Sequence, residues 1–413
     1  MIEKARYKPR APRWFNFLLR HTFSAFLKRW FRIRSASAGV FSRVKPPYVL
    51  IPTHHGTLDP FMVSYFVRDP VYWVTSDGNM RSSTMKFLLG LVGSIPKSKS
   101  IPDMETIGWI VEVIRKRGGV VGIFAEGQAS WDGHTQEIIP STAKLIKLLK
   151  VPVIVAVLKG AYYTQPRWAW NKRPGDMEIE FKLVMDGARA KALSPEEILA
   201  SLESAMEYDE EEWRANHPAR HRGSGRAKHL ELALFMCPVC RQVGSMRSYI
   251  NRLYCRACGH VVRLSRSYSF SAVGMSEPRF GSIREWDAWQ RGAFAEKVAA
   301  ATAKPLVPIF ADGGVLLLRG YRANPLRRVR SGTMVLYHDR IEIATLLGER
   351  LSFPIARIEG AGVLKQQLFE FYVGKTLYQF RFPRRFQSAR KWLDAVSLLK
   401  RIEEAAAATP PAN

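Results

Sequence analysis

The chain has 413 residues, 47% of them hydrophobic, which is enough for two or three packed domains and excludes a wholly disordered polypeptide. Its 63 Lys and Arg against 36 Asp and Glu give a formal charge of +27, so acidic partners are expected: anionic lipid, nucleic acid, or phosphorylated substrates and acidic carriers. No apolar run approaches the ~18 residues of a spanning helix and no secretory signal pattern is evident, so the expectation is a cytoplasm-facing protein attached peripherally to a membrane.

Residues 1 to 45 carry twelve Lys or Arg and one acid, Glu3. Interleaved at helical spacing are Trp14, Phe15, Leu18, Leu19, Phe23, Phe26, Leu27 and Trp30. An aromatic stripe flanked by Arg20, Lys28, Arg29 and Arg32 predicts a basic amphipathic helix over 1–44 that lies on a membrane surface or packs partly on the core.

From 48 to about 190 apolar strands alternate with amphipathic helices, the pattern of an α/β domain. Tyr48 to Pro52 (YVLIP) reads as a buried strand, followed by HHGTLD and a helix with Pro60 in its first turn. His54 and Asp59, five positions apart at this strand-to-helix junction, allow a carboxylate to orient an imidazole that takes a hydroxyl proton. The same residues also admit a plainer reading, with Asp59 as a helix cap and His54 as a surface loop residue. Asp103 to Arg117 predicts a helix that starts acidic, ends basic and stops at Gly118-Gly119. Val120 to Ser130 (VVGIFAEGQAS) reads as a strand running into a turn with one carboxylate, Glu126. Val151 to Val157 (VPVIVAV) reads as a further strand.

These blocks, in this order, resemble the glycerolipid acyltransferases, which carry Asn-His-x-Ser-x-x-Asp and then Phe-Pro-Glu-Gly-Thr-Arg-Ser. The resemblance covers about residues 45 to 190. It places His54 and Asp59 on the catalytic dyad and Phe124, Glu126, Gly127 and Ser130 on the second block. Gly93 to Lys99 resembles the family's acceptor motif, with Lys99 on its basic position and Lys97 beside it. Implied substrate-binding residues are Lys97, Lys99, Glu126, Gly127 and Gln128. Thr53, Gly56, Ala125 and Ala129 depart from the pattern. Ala129 stands where the family has an arginine, and alanine offers a phosphate neither charge nor donor.

Beyond 195, helices are expected, with the arginine-rich stretch HPARHRGSGRAK as a linker or exposed surface. Cys237, Cys240, Cys255 and Cys258 form two C-x-x-C pairs separated by fourteen residues, a spacing that predicts one tetrahedral, structural zinc in a small β-ribbon. A capped helix is expected from Ser282 to Thr302, burying Trp286, Trp289 and Phe294. Short alternating strands then run to Phe382 with a turn at Gly374-Lys375, and a last helix presents Ala389, Trp392, Val396 and Leu399 on one side. This arrangement resembles pleckstrin-homology-like domains. Arg327, Arg328 and Arg330 in one connection, with Arg384 and Arg385 in another, are placed to meet acidic headgroups.

The expected organisation is therefore a surface helix (1–44), an α/β acyltransferase domain (45–229), a zinc ribbon (230–270), a linking helix (271–304), a pleckstrin-homology-like β-barrel with C-terminal helix (305–405) and a tail (406–413). By resemblance, the activity is transfer of an acyl group from a thioester, carried on CoA or acyl carrier protein, to a hydroxyl of a lysophospholipid or glycerol phosphate at an anionic membrane surface. Structural zinc is the expected cofactor. A non-catalytic lipid-binding or scaffold protein on a degenerate acyltransferase fold is the alternative, favoured by Gly56 and Ala129 and opposed by the intact dyad. Nucleic-acid binding through the ribbon and net charge would leave the first 190 residues unexplained.

Overall fold

The computed structural model describes residues 7–98, 103–217, 221–345 and 348–408. The chain falls into two compact units, divided along the sequence after Gly223. The first opens with α1 (Arg13–Leu19), a π-helical turn (Arg20–Ser24) and α2 (Ala25–Trp30). Next come β1 (Ile33–Arg34), α3 (Val40–Arg43), β2 (Tyr48–Pro52) and α4 (Asp59–Ser64). They are followed by β3 (Val71–Ser76), α5 (Ser83–Leu91), β4 (Ile95–Lys97) and α6 (Met104–Val111), which ends in a π turn (Glu112–Lys116) before β5 (Val120–Gly122). The remainder comprises α7 (Ser141–Leu149), β6 (Val153–Lys159), β7 (Met177–Met185), α8 (Gly187–Ala192), α9 (Pro195–Met206) and α10 (Glu210–Asn216).

The seven strands form one sheet in the order β1-β7-β6-β2-β5-β3-β4, parallel throughout except where β6 meets β7. Alternation along each strand sends side chains to opposite faces. Val49 and Ile51 of β2, with Val121, Val153, Val155 and Val157, pack under α6, α7 and α9 through Ile110, Ile146, Ile198 and Leu202. Tyr48 and Leu50, with Ile154, Ala156 and Leu158, face Leu27, Phe31, Met62 and Val63. Both faces are covered, which is why the strands read as unbroken apolar runs. Each such side chain contributes about 1.5–3 kcal/mol on full burial.

Two expectations change at this level and one is resolved between its alternatives. The strand β1 and helix α3 lie before residue 45 yet belong to the sheet domain, because Ile33 pairs with Met177 and is buried. The N-terminal helix is partly core: Leu27 and Phe31 are buried, whereas Trp14, Phe17, Leu18, Phe26 and Trp30 remain exposed. His221, expected in a linker or exposed surface, is buried beside Tyr163, with its ring filling the space that Gly175 leaves by lacking a Cβ.

The second unit begins with a four-stranded antiparallel sheet: β8 (Met246–Tyr249), β9 (Arg252–Cys255), β10 (Val261–Leu264) and β11 (Phe270–Ser271). Next is α11 (Ile283–Thr302), whose Ser282 cap accepts from the Glu285 amide at 3.1 Å. Seven strands follow: β12 (Phe310–Gly320), β13 (Arg327–Leu336), β14 (Arg340–Ala344), β15 (Arg350–Pro354), β16 (Glu359–Leu364), β17 (Leu368–Val373) and β18 (Thr376–Arg381). All pair antiparallel in the order β15-β14-β13-β12-β18-β17-β16, and α12 (Arg390–Ala408) closes the unit.

The expected face of α12 is buried at Ala389, Trp392, Val396 and Leu399. Strand β16 (EGAGVL) escaped the sequence reading because its two glycines and leading glutamate carry little β preference. Arg327, Arg328 and Arg330 lie within β13 opposite Arg319, Leu318 and Leu317 rather than in a connection. Arg384 and Arg385 do lie between β18 and α12.

The small sheet, α11 and the larger sheet share a core. Gln290 of α11 accepts from the Met236 amide and donates to the Ala233 carbonyl, while Trp286 donates to the Met236 carbonyl. Arg390 of α12 meets both oxygens of the buried Asp287 carboxylate at 2.6 and 2.8 Å. Lys391 and Trp392 converge on Asp312 Oδ2 at 2.8 and 2.7 Å.

Candidate active site and four-cysteine cluster

Strands β2, β5 and β6 are parallel neighbours, so their carboxyl ends emerge side by side at one edge of the sheet. This edge is where open α/β sheets place ligands. The segment after β2 delivers HHGTLD and the segment after β5 delivers AEGQAS.

Asp59 starts α4 and is almost entirely buried. Its Oδ2 accepts from His54 Nδ1 at 2.9 Å, from the His55 amide at 2.7 Å and from the Gly56 amide at 2.8 Å. A carboxylate can only accept, so His54 carries its proton on Nδ1 and presents Nε2 as the basic nitrogen. The His54 side chain is 23% exposed against 5% for Asp59, which leaves the imidazole open to a reactant and its carboxylate shielded.

The ring is also held from behind. Phe124 lies 4.3 Å from the His54 ring and itself stacks on Trp73 at 5.2 Å. Trp73 lies against Gly122, where a Cβ would come within 2.3 Å of the indole, so only glycine permits this stack. Trp73 Nε1 donates to Ser64 Oγ on α4. Sequence reading did not assign Trp73 or Gly122 to the site, since their relation to His54 exists only through pairing of β3 with β5.

Glu126 joins the two blocks. Its Oε1 accepts from the His54 amide at 2.7 Å and its Oε2 from the Gln136 amide at 2.9 Å. Burial pushes this carboxyl up to about 8, while the two amide donors favour its charged form. With an oxygen committed to each main-chain amide, Glu126 acts as a fixing carboxylate for the loop. The Ser130 amide donates to the His54 carbonyl at 3.0 Å, a second tie between the blocks.

Among the other expected binding residues, Gly127 takes φ +69° and its amide donates to the Phe124 carbonyl, so the glycine shapes the turn. Gln128 Oε1 accepts from Arg167 Nη1 at 3.0 Å, and the same nitrogen donates to the Ala129 carbonyl at 2.7 Å. Arg167, stacked over Trp131 at 4.3 Å, thus brings a guanidinium to the loop where Ala129 supplies none. Its distance of 38 positions from Ala129 hid this from sequence reading. Lys97 is exposed at the end of β4, three strand positions from β2, or about 14 Å at ordinary strand spacing. Lys99 lies outside the described residues.

His55 points the other way. It is fully buried, and burial lowers its pKa to about 4, so its ring is neutral at pH 7. It lies 6.3 Å from the Tyr208 ring, whose hydroxyl donates to the buried Glu210 at 3.0 Å.

In the second unit the sulfurs of Cys237, Cys240, Cys255 and Cys258 all lie within 4.8 Å of one another. Cys237 and Cys258 are 3.6 Å apart and Cys240 and Cys255 are 3.7 Å apart. These separations are too long for disulfides and close to the roughly 3.8 Å that tetrahedral Zn–S bonds of about 2.3 Å require. Amides of Val239 and Ala257 point at Cys237 and Cys255 sulfur, each at 3.4 Å, and favour thiolates. The donor set therefore fits a closed zinc site, with no position left for substrate.

A mostly parallel α/β sheet thus presents a carboxylate-held imidazole at its carboxyl edge, an arrangement with the geometry of a general base. Residues 33–159 match the Acyltransferase family model, and this part of the chain is a member of the acyltransferase family. Among solved structures, the chain is similar to the 1-acyl-sn-glycerophosphate (LPA) acyltransferase PlsC of Thermotoga maritima at 15% identity and a TM-score of 0.41, over 46% of this chain and 76% of that one. It is also similar to the N-terminal PH domain of human ARAP2 at 15% identity and a TM-score of 0.18, over 25% of this chain and 87% of that domain. At TM-scores this low neither likeness bears on fold or function. No curated protein matches the chain. No helix among the described residues is long and apolar enough to cross a membrane.

Proposed function

We propose that this protein transfers an acyl group from a thioester, on CoA or acyl carrier protein, to a hydroxyl of a lysophospholipid or glycerol phosphate at an anionic membrane surface. The observation that carries this reading is the 2.9 Å contact between His54 Nδ1 and Asp59 Oδ2, which leaves Nε2 as the base. Nε2 takes the hydroxyl proton as the oxygen attacks the thioester carbonyl; the C–S bond then breaks and the proton passes to the departing sulfur. Asp59 holds the ring and supports the imidazolium. Exposed aromatic residues on α1 and α2 beside Arg13, Arg29 and Lys28 support attachment to anionic lipid.

In the same reading, Cys237, Cys240, Cys255 and Cys258 hold one structural zinc, and the antiparallel sheet with α12 is a pleckstrin-homology-like module. The catalytic domain extends from about residue 33 to Gly223. In this reading Lys97 and Lys99 are the lysines assigned to the acceptor, joined by the Arg167 guanidinium at the loop after β5.

The test supplies acyl-CoA or acyl carrier protein thioester with a panel of lysophospholipids and glycerol 3-phosphate and follows products by mass. A single acylated product, lost in His54→Ala, is expected. Absence of product from every acceptor while the protein binds vesicles would leave a non-catalytic lipid-binding protein on this fold.

A further inference from the structure

Helix α5 (STMKFLLGL) buries none of its residues, although five of its nine are large and apolar. Residues 82 to 88 are all exposed, with Phe87 at 67%, Leu88 at 47% and Met85 at 44%. A surface helix ordinarily buries an apolar stripe against its own domain; this one presents apolar side chains around its circumference. Its root, by contrast, is firmly held. The Tyr7 hydroxyl donates to the Ser94 carbonyl at 2.6 Å, the Tyr7 ring lies against Gly90, and Ala11 packs on Gly93. One residue later Pro12 occupies the cap position of α1, which also buries none of its residues and exposes Trp14, Phe17 and Leu18. Two unburied apolar helices therefore spring from one place in the first unit.

Along the chain, both helices lie in segments that carry cations and no acid, and the acids that bound the α5 segment, Asp77 and Asp103, are both bonded to Ser98. No Asp or Glu occurs between Lys4 and Leu58, nor between Gly78 and Pro102, whereas Arg13, Arg20, Arg81 and Lys86 lie in or beside the exposed helices. Aromatic and aliphatic side chains flanked along the sequence by cations match an anionic bilayer, where hydrocarbon takes the apolar groups and headgroups take the charges. We propose that α5 is a second lipid-contacting element, which with α1 seats the first unit on an anionic membrane. Phe87, Leu88 and Met85 enter the apolar layer, and Lys86 and Arg81 meet headgroups. The inference rests on the membrane-surface reading above and adds a consequence for the site. Strand β4, bearing Lys97, follows α5 after three residues, so seating α5 holds that edge of the sheet near the surface from which a lipid acceptor arrives.

The test uses the full chain and vesicles of phosphatidylglycerol with phosphatidylcholine, with no acyl donor or acceptor present, so it reads α5 whatever reaction the enzyme performs. The pair Phe87→Glu and Leu88→Glu should weaken vesicle sedimentation by about tenfold or more while the melting temperature stays unchanged. In the wild type, amide exchange over 83–91 should slow when these vesicles are added and stay unchanged with pure phosphatidylcholine. That second readout stands even if the double variant fails to fold. Unchanged exchange over 83–91 with protection confined to 13–30 would overturn the proposal. So would a concentration-dependent dimer that the double variant abolishes with vesicle binding intact, because α5 would then be a face between copies of the chain. Acyl transfer to water-soluble glycerol 3-phosphate, measured separately, reports on the catalytic reading alone.

Discussion

The main-chain amide of His54 donates to Glu126 Oε1 at 2.7 Å, across 72 positions of sequence. Through this bond the turn after β5 fixes the backbone of the residue whose side chain is the proposed base. The orientation of His54 is thus set from both ends, by Asp59 on its ring and by Glu126 on its amide.

Replacing His54 by alanine should abolish acyl transfer with the fold retained. Asp59→Asn should lower the rate by roughly two to four orders of magnitude, as loss of an orienting carboxylate does in triads. The neutral amide oxygen accepts more weakly than the carboxylate Oδ2 on which three donors converge, so some loss of stability should accompany it. Single-turnover rates and thermal melts of both variants separate the two effects, and equal rates in wild type and His54→Ala would end the enzymatic reading.

Glu210 makes stability depend on pH in a stated direction. Burial raises its pKa to about 8, above the 4.5 of an unburied glutamate. Its stabilising contribution is then fully present below about 4.5 and is lost as pH rises through 8. Glu210→Gln, which keeps an acceptor for the Tyr208 hydroxyl, should melt higher than wild type at pH 9 and show a flatter profile from pH 5 to 9. Melting curves across that range are the check; parallel profiles would show that Glu210 does not titrate there.

Protein purified without added metal should carry one zinc per chain. Chelation should loosen more than residues 237 to 260, because the Met236 backbone is bonded to Gln290 and Trp286 of α11. Amide exchange after chelation should therefore rise in α11 as well, and freely titratable thiols in the purified protein would exclude the site.

Attachment by the N-terminal helix calls for point changes rather than deletion. Removing residues 1 to 34 would also remove Leu27, Phe31 and Ile33 from the core. The triple change Trp14→Glu, Phe17→Glu and Leu18→Glu touches only exposed positions and should sharply weaken binding to anionic vesicles. Raising salt should weaken wild-type binding without erasing it, since screening acts on charges and leaves burial of aromatic rings intact. Unchanged sedimentation of the triple variant would assign attachment elsewhere.

In the second unit, Arg390→Ala removes the two shortest bonds to the buried Asp287 carboxylate, leaving Gln290 Nε2 at 3.2 Å and Arg291 at 3.6 Å, and should destabilise by up to about 3–5 kcal/mol. Changing both residues to leucine should recover much of that loss, as replacing a buried pair by apolar groups often does. Denaturant unfolding of the three proteins measures the difference.

Local pattern in the sequence was sufficient for the strands β2, β5 and β6, the dyad spacing, the cysteine pairs and the buried face of α12. Each depends on periodicity or spacing within a few residues, which neighbouring side chains alone impose. What needed the tertiary structure was every relation across strands. Sheet order placed HHGTLD beside AEGQAS, brought Arg167 to the loop that lacks an arginine at 129, and stacked Trp73 and Phe124 behind His54. It also separated the uses of the N-terminal helix, burying Leu27 while leaving Trp14 in water. Burial of one helix face is settled by what packs against it, and that partner, α4 with the outer face of the sheet, comes from later in the chain.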